Sequence, residues 1–186
     1  MKRSTFSAGL AAMLLAVTSG CASSTGKIPA VSGFEPEKYM GVWYEIARLP
    51  HRFERGLDHV RAEYTLNPDG TIQVVNQGIR NGEKRRIVGK AKLKDPQAKP
   101  LKGELRVSFF GPFYSDYRII ELADDHSYAA VTGGTMDYFW LLSRKPAMAP
   151  EQLREILERM KKHGFAVEKL EYPQQDPAGN GKTAVK

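Results

Sequence analysis

The sequence predicts an all-β fold: an eight-stranded antiparallel up-and-down barrel with one C-terminal α-helix packed outside. Between residues 42 and 144, short runs of β-favouring residues are separated by turn signals. Several of these runs alternate apolar and polar residues, which is typical of a sheet with one dry face. One amphipathic helical pattern follows the last run.

The eight runs of the predicted barrel follow one another in close succession. We predict strands at 42–48, 60–66, 71–78, 86–93, 103–109, 115–122, 127–132 and 138–144. Turn-forming residues such as glycine, proline, asparagine and aspartate mark the connections at 67–70, 81–82, 96–100, 124–125 and 133–134. Eight consecutive strands with tight turns favour an antiparallel meander, and its closure removes the exposed edges and leaves room for one small ligand.

The alternation also predicts which side chains face the inside of the barrel. In the run at 103–109, Leu105 and Val107 alternate with Glu104 and Arg106, so one face is dry. On the dry faces we predict a ligand cavity formed by Ala62, Tyr64, Val74, Asn76, Gly89, Ala91, Leu105, Val107, Tyr117, Ile119, Trp140 and Leu142. The same positions are compatible with a plain packed core, and periodicity does not decide between a cavity and a core.

A helix is predicted after the last strand. Pro150 suits its first turn and Gly164 suits its cap. Its apolar stripe consists of Leu153, Ile156, Leu157 and Met160. We expect this stripe to pack on the outside of the barrel, with membrane binding by the same stripe as the alternative. A last short strand is predicted at 166–172, and a disordered tail at 173–186.

The N-terminal segment has the pattern of an export signal. A positively charged start precedes an apolar run at 9–17, which is too short to span a bilayer and fits the hydrophobic part of a secretory signal. The run leads into Ser-Gly-Cys at 19–21, which resembles the bacterial lipobox. We therefore predict a lipoprotein signal peptide at 1–20 and a flexible tether at 21–33, with an ordinary secretory signal as the alternative.

Cys21 is the residue that we expect to attach the mature chain to a membrane. In the lipobox pattern this cysteine is lipidated, palmitate being a typical acyl chain, and becomes the new N-terminus. Two or more acyl chains anchor stably, at roughly 0.8 kcal/mol per buried CH₂. The next residue is Ala22 and not the aspartate that commonly signals retention in the inner membrane. We therefore predict a lipid-anchored protein of the outer membrane.

Composition excludes several functional classes. The net charge is +7, but basic residues are scattered among acidic ones, which favours a solvated surface and no nucleic-acid binding. A single cysteine excludes an intramolecular disulfide and a metal site built on several thiolates. The four histidines are His51, His59, His126 and His163, and none forms a pair with metal-ligand spacing. We predict no metal and no cofactor; a metal between His51 and His59, or haem on His59, is the alternative.

The sequence also lacks the usual patterns of a catalytic site. No Ser/His/Asp spacing and no glycine-rich phosphate loop appears, so we predict no catalytic residue and no enzyme. Glu45 is the one candidate, because an inward position on the first strand would bury its carboxyl group. Such a group either has a raised pKa and a catalytic role, or forms a salt bridge or hydrogen bond near the barrel floor. We favour the second interpretation.

Three short regions resemble the signature of the lipocalin family. They are Gly41-Val42-Trp43, then Met136-Asp137-Tyr138, in which methionine replaces the family's threonine, and finally Arg144. The segments at 51–56 and 109–114 narrow the resemblance to bacterial outer-membrane lipoproteins of this family, which are similar to apolipoprotein D. The resemblance covers residues 34–172, which we take as the barrel domain.

The resemblance implies that the signature residues hold the fold and do not contact ligand. Trp43 is expected to plug the closed end of the barrel, with Arg144 lying across its ring as a cation–π partner. Gly41 is expected to permit a close approach of the backbone. Asp137 and Tyr138 are expected in the turn that enters the last strand.

The resemblance further implies that the chain stores or transports fatty acids or (lyso)phospholipids at the outer membrane, for envelope maintenance under stress. In the loop at 49–59, Arg52 and Arg55 are candidates to meet a phosphate or carboxylate head. The segment at 110–113 (Phe-Gly-Pro-Phe) is a candidate contact for a homodimer. The alternatives are an envelope enzyme acting on lipid and a structural protein with a filled barrel.

Overall fold

The computed structural model describes residues 28–175, which form a closed barrel of eight antiparallel strands. The strands are β1 (Gly41–Arg48), β2 (Asp58–Leu66), β3 (Ile72–Arg80), β4 (Glu83–Leu93), β5 (Glu104–Phe110), β6 (Phe113–Leu122), β7 (Tyr128–Thr132) and β8 (Phe139–Ser143). Helix α1 (Pro36–Tyr39) precedes them, and helix α2 (Pro150–Lys162) and a 3₁₀ helix (Val167–Lys169) follow. Each strand pairs with the next and β8 pairs with β1, so the predicted up-and-down barrel is confirmed.

The predicted signal peptide, Cys21 and most of the predicted tail lie outside the described residues. The described part nevertheless extends beyond the predicted domain on both sides. The backbone N–H of Val31 donates to Ile119, and Gln175 binds the barrel wall through its side chain. No helix within residues 28–175 is long and apolar enough to cross a membrane.

The hairpin strands are longer than predicted. The β3–β4 ladder continues to the pair Arg80–Glu83, around a two-residue turn whose residues Asn81 and Gly82 have φ of 52° and 77°. Such a turn matches the twist of a tight hairpin. The outer part of β4 is exposed on both faces, so burial does not alternate along its charged residues. Hydrophobic periodicity therefore detects the strand only where one of its faces is buried.

The strand predicted at 166–172 is wrong. Residues Val167–Lys169 form a 3₁₀ helix, and in this segment only Glu171 makes a bridge, to Arg48 of β1. The reason is packing, because Phe165, Val167 and Leu170 contact the hydrophobic cluster between the barrel and α2. A turn of helix allows these three apolar side chains to face the same surface. An extended strand would not place all three on one side.

Helix α2 packs on the outside of the barrel, as predicted. Ile156 and Met160 are fully buried in a cluster that also contains Ala130, Phe139 and Leu141 of the barrel wall. At the edge of this contact the Arg159 guanidinium binds both carboxylate oxygens of Glu121. Gly164 follows the helix with φ of 94°, a left-handed conformation that glycine adopts at little cost.

Three of the signature residues, Gly41, Trp43 and Arg144, close one end of the barrel, while Asp137 and Tyr138 lie at the other end in the connection that enters β8. Trp43 is fully buried, and the Arg144 guanidinium carbon lies 3.8 Å from the centre of its ring. The same guanidinium donates hydrogen bonds to the carbonyl oxygens of Val42 and Lys38. Gly41 has φ of 94°, and a Cβ there would lie 3.4 Å from Arg144 Nη1. A cation–π contact and hydrogen bonds to the backbone therefore both stabilise this end of the barrel.

The opposite, open half of the barrel has a seam. Strands β1 and β2 pair only as far as Tyr44 and Arg61. Above that point the C-terminal segment lies between them, because Gln175 Nε2 donates to the carbonyl oxygens of both Glu45 and Val60. The backbone N–H of His59 also donates to the carbonyl of Gln174. Residues 173–175, predicted in the tail, thus complete the barrel wall.

We predict that Arg144→Ala lowers the free energy of unfolding by about 2–4 kcal/mol, because it removes a cation–π contact and two charge-assisted hydrogen bonds. Urea unfolding followed by the fluorescence of the two tryptophans measures this change. The matched control is Arg154→Ala, which removes an exposed ion pair with Glu151 on α2 and should change stability by less than about 0.5 kcal/mol. Equal effects of the two substitutions would contradict the assignment.

Candidate functional site

A cavity of about 80 Å³ lies inside the open half of the barrel. Its lining residues are Glu45, Glu54, Val60, Arg61, Ala62, Tyr64, Val74, Asn76, Val107, Phe109, Tyr117, Trp140 and Leu142. Most of this wall is apolar or aromatic, and its polar groups are concentrated on the strands and loop of the open end. An apolar pocket with a few converging polar groups is the usual form of a small-molecule site.

Eight of the twelve residues predicted for the cavity line it: Ala62, Tyr64, Val74, Asn76, Val107, Tyr117, Trp140 and Leu142. The other four do not. Ala91, Leu105 and Ile119 are buried in the core below the cavity. At Gly89 an added Cβ would lie 2.7 Å from the Phe109 ring, so that ring already occupies the space that the glycine leaves.

Sequence reasoning missed Glu54, Phe109, Val60 and Arg61 as lining residues. Phe109 has the inward parity of Leu105 and Val107 and was detectable from the alternation. Glu54 was not detectable, because it belongs to the loop between β1 and β2, which folds back over the cavity. Val60 and Arg61 line the cavity where the pairing of β1 with β2 ends, a break that has no periodic signal.

The floor of the cavity is a chain of three tyrosines. The hydroxyl of Tyr117 lies 2.7 Å from that of Tyr39 and 3.0 Å from that of Tyr64. Burial raises the pKa of Tyr64 to about 12 and that of Tyr39 and Tyr117 well above the usual value, so all three hydroxyls are protonated. Two hydrogen bonds use two of three protons, which leaves one hydroxyl donor.

Glu45 is the buried carboxyl that its position predicted. Its side chain is 4% exposed, and its Oε1 accepts a 2.8 Å hydrogen bond from Arg48 Nη1. The predicted bonding of this carboxyl is therefore confirmed by its contact with Arg48, but the contact lies beside the cavity and not at the barrel floor, where Trp43 is. Burial, and then the charge of Glu54, outweigh the attraction of Arg48 and raise the pKa of Glu45 to about 8.

Glu54 supplies the second carboxyl of the cavity wall. Its Oε2 accepts a 2.9 Å hydrogen bond from Trp140 Nε1 and lies 2.8 Å from His51 Nε2. Burial acts to raise the pKa of Glu54, but the contacts with His51 and Trp140 outweigh it and hold the pKa below its usual value. Glu54 is thus ionised at neutral pH. The Trp140 indole fixes its loop to β8, and His51 of the same loop holds the carboxylate from the other side.

The polar atoms that remain unpaired around the cavity include acceptors and donors. Asn76 Oδ1 is buried and has no hydrogen-bond partner among the described residues. The bonds described above use Oε1 of Glu45 and Oε2 of Glu54. The second oxygen of the ionised Glu54 is an acceptor, whereas Glu45, with a pKa of about 8, holds a proton at neutral pH. Asn76 Oδ1 and Glu54 are suited to a ligand group that donates hydrogen bonds or carries positive charge.

The other residues weighed as candidates lie elsewhere. Arg52 stacks on the ring of Phe53 at 4.8 Å, and neither Arg52 nor Arg55 lines the cavity. His51 is bound to Glu54 and His59 lies in the seam beside Gln174. Within residues 28–175 no group of three or more histidine, cysteine or acidic side chains is arranged to hold a metal ion.

The sequence of residues 34–175 matches the lipocalin-like domain family. The chain is a lipocalin. The resemblance seen in the signature motifs is therefore confirmed, and it extends over the whole barrel.

Curated relatives are similar to this lipocalin over nearly their full length. The outer membrane lipoprotein Blc of Vibrio cholerae is 43% identical over 159 residues, which cover 84% of this chain and 91% of the relative. Blc of Escherichia coli K12 is 40% identical, with 90% and 94% covered, and bovine apolipoprotein D is 30% identical, with 84% and 87% covered. The two Blc relatives support the predicted lipid-anchored localisation at the outer membrane.

Solved structures agree on the fold. Insecticyanin from the tobacco hornworm Manduca sexta superposes with a TM-score of 0.69 at 20% identity, covering 86% of this chain and 90% of that one. The cockroach allergen Per a 4 gives a TM-score of 0.64 at 19% identity, with 84% and 97% covered. At this identity the likeness concerns the barrel and not its contents.

We predict that the buried Glu45 makes the lipocalin less stable as the pH rises. The ordinary pKa of a glutamate carboxyl is 4.5, and that of Glu45 in the folded chain is about 8. Between these values the folded chain holds a proton that the unfolded chain has lost, so the free energy of unfolding falls with increasing pH. Glu45→Gln keeps an acceptor for Arg48 and should flatten the pH dependence between about pH 5 and about pH 9.

Urea unfolding at a series of pH values measures this slope. The matched control is Glu63→Gln, which changes an exposed glutamate on the outer face of β2. It should leave the slope of the wild type unchanged. An unchanged slope in Glu45→Gln would show that the carboxyl is ionised in the folded chain throughout this range.

Proposed function

We propose that this lipocalin binds single-chain lipids in the barrel cavity and carries them at the outer membrane. The observation that supports this most directly is the cavity itself, an apolar space with tyrosines at one end and two carboxyls at the other. The apolar wall favours an acyl chain through burial of its surface, at roughly 25 cal/mol per Å². Envelope maintenance under stress, which the family resemblance implies, is part of this proposal.

The volume of the cavity sets a condition on this function. At about 80 Å³ it is smaller than the roughly 300–1,000 Å³ of typical ligand pockets. An acyl chain therefore requires movement of cavity side chains, of which Phe109 and Trp140 are only partly buried. The small volume is also the one observation that favours the alternative of a structural protein with a filled barrel.

The polar groups favour a particular kind of lipid head. A free fatty acid would bring its carboxylate close to Glu54, which is ionised. A lysophospholipid with an ammonium headgroup, such as lysophosphatidylethanolamine, would instead present hydrogen-bond donors to Glu54 and to Asn76 Oδ1. Of the two ligand classes implied by the resemblance, we therefore favour the lysophospholipid.

The membrane anchor belongs to the same proposal. We propose that Cys21 is lipidated and that the mature chain begins there, which would hold the barrel at the membrane that supplies its ligand. No binding step requires a cofactor or a catalytic group. Glu45 and Glu54 are assigned to recognition and not to catalysis, so the lipid should be recovered from the protein chemically unchanged.

We predict that Ala62→Phe abolishes lipid binding, because Ala62 lines the cavity and the added ring fills it. Native mass spectrometry after incubation with lysophosphatidylethanolamine should show about one lipid per wild-type chain and at least about tenfold less on the variant. Thr65→Phe, which adds the same ring to the exposed face of the same strand, should bind like the wild type. A wild-type chain that takes up no lipid would favour the structural alternative.

We predict that Glu54→Gln changes which lipid is preferred. Glutamine keeps the acceptor for Trp140 Nε1 but removes the negative charge. With equal amounts of lysophosphatidylethanolamine and palmitate, the ratio of bound lysophospholipid to bound fatty acid should fall by about tenfold, because a buried charge pair is lost. Glu63→Gln is the control with an exposed carboxylate. An unaltered ratio in Glu54→Gln would contradict recognition of the head by this carboxylate.

A further inference from the structure

The exposed large apolar side chains of residues 28–175 are concentrated at one end of the barrel. In an up-and-down barrel the connections alternate between two ends, so those after β1, β3, β5 and β7 share the open end. Phe110 and Phe113 flank the β5–β6 turn there and are 69% and 79% exposed. Phe53 in the β1–β2 loop, and Ile87 and Val88 on β4, are also exposed. The turns of the closed end at 67–71 and 123–127 expose none.

This apolar rim, defined as Phe53, Ile87, Val88, Phe110 and Phe113, belongs to the β1–β2 loop, to β4 and to the β5–β6 hairpin of the open half of the barrel. Phe109, which lines the cavity, directly precedes Phe110. Apolar side chains placed singly on a surface need no explanation, but five exposed in one half of the barrel are of the kind that marks a binding surface. The rim is therefore a candidate docking surface.

The charges next to the rim show which kind of surface fits it. The β3–β4 hairpin carries Lys84, Arg85 and Arg86 against a single carboxylate, Glu83. The β1–β2 loop adds Arg52 and Arg55, while its only carboxylate, Glu54, points inward to Trp140. Asp137 in the β7–β8 loop is a further carboxylate, so basic groups outnumber acidic ones. Exposed aromatic rings beside basic residues complement an anionic lipid surface.

The length of chain before residue 28 allows the rim to reach the membrane of the proposed anchor. Cys21 precedes Ile28 by seven residues, which span at most about 25 Å when extended. The carbonyl of Ile28 is bound by Arg118, which lies five residues along β6 from Phe113 at the rim. Five strand residues span about 17 Å. The segment between Cys21 and Ile28 is thus long enough to reach from Ile28 to the open end of the barrel.

We propose that the open end of the barrel docks on the anionic lipid surface of the membrane that holds the chain, with Phe110 and Phe113 immersed in it. The rim then seals the opening of the cavity against the bilayer, and a lipid moves between the two without passing through bulk water. The docking surface is separate from the cavity, so it stands or falls independently of the ligand proposed above.

The test is flotation of the chain with lipid vesicles, in a Cys21→Ser background that removes the proposed anchor. We expect the chain to float with vesicles of phosphatidylethanolamine and phosphatidylglycerol, less with phosphatidylcholine vesicles, and less at high salt. Phe110→Ser combined with Phe113→Ser should reduce flotation by about tenfold or more. The matched control is Tyr172→Ser, an exposed aromatic outside the rim, which should float like the parent chain.

Circular dichroism and urea unfolding of the double variant show whether it is folded, and both substituted rings are exposed, so its stability should match that of the parent. A chain that does not float, or a folded double variant that floats as well as its parent, overturns the proposal. If the double variant instead converts a dimer to a monomer by light scattering while flotation is unchanged, the rim is a contact between two copies of the chain.

Discussion

The pairing of β1 with β8 is the constraint on which the rest of the molecule depends. Because it closes the sheet, every inward side chain of the eight strands shares one enclosed volume. Large side chains fill that volume at one end, where Trp43 and Tyr39 are fully buried. The other end also has smaller or polar side chains, such as Ala62 and Asn76, beside Phe109 and Trp140. The cavity is what remains after this unequal filling, and its position follows from the order of residue sizes along the strands.

Stability and recognition are therefore located at opposite ends of one barrel. At the closed end, Arg144 satisfies two backbone carbonyls while stacking on Trp43, which fixes the first strand to the end of the last. At the open end, Glu45 is held in a site that disfavours its ionised form, and Asn76 has a buried oxygen without a partner among the described residues. Buried polar groups of this kind cost stability, and proteins keep them mainly where a ligand uses them.

Much of the fold could be predicted from the sequence because a lipocalin wall alternates between wet and dry faces. Leu105 and Val107 show this alternation, and Gly41, Trp43 and Arg144 mark the closed end. Prediction from this alternation failed where burial does not vary along a strand, as in the exposed part of β4. It also failed at Val167–Lys169, where the apolar residues face α2 and not the inside of the barrel.

The candidate site was predictable only for residues on regular strands. Parity indicates that Tyr117 and Trp140 face inward, but not how far up the barrel the packed core extends, so Leu105 and Ile119 were assigned to the cavity. Whether the space beside Gly89 is empty depends on the rotamer of Phe109, a side chain on another strand. The role of Glu54 depends on the path of a loop, which is set by its contacts with Trp140 and His51.

The seam closed by Gln175 has a consequence for how the chain is produced. The open-end half of β1 is paired with β8 on one side and with residues 171–175 on the other, so this half of the first strand to be synthesised obtains its partners last. Contacts between residues so far apart in the chain form slowly, and unpaired strand edges promote aggregation. Residues 171–175, which are far in the chain from every signature motif, are therefore the last to join the barrel wall and to cover this edge.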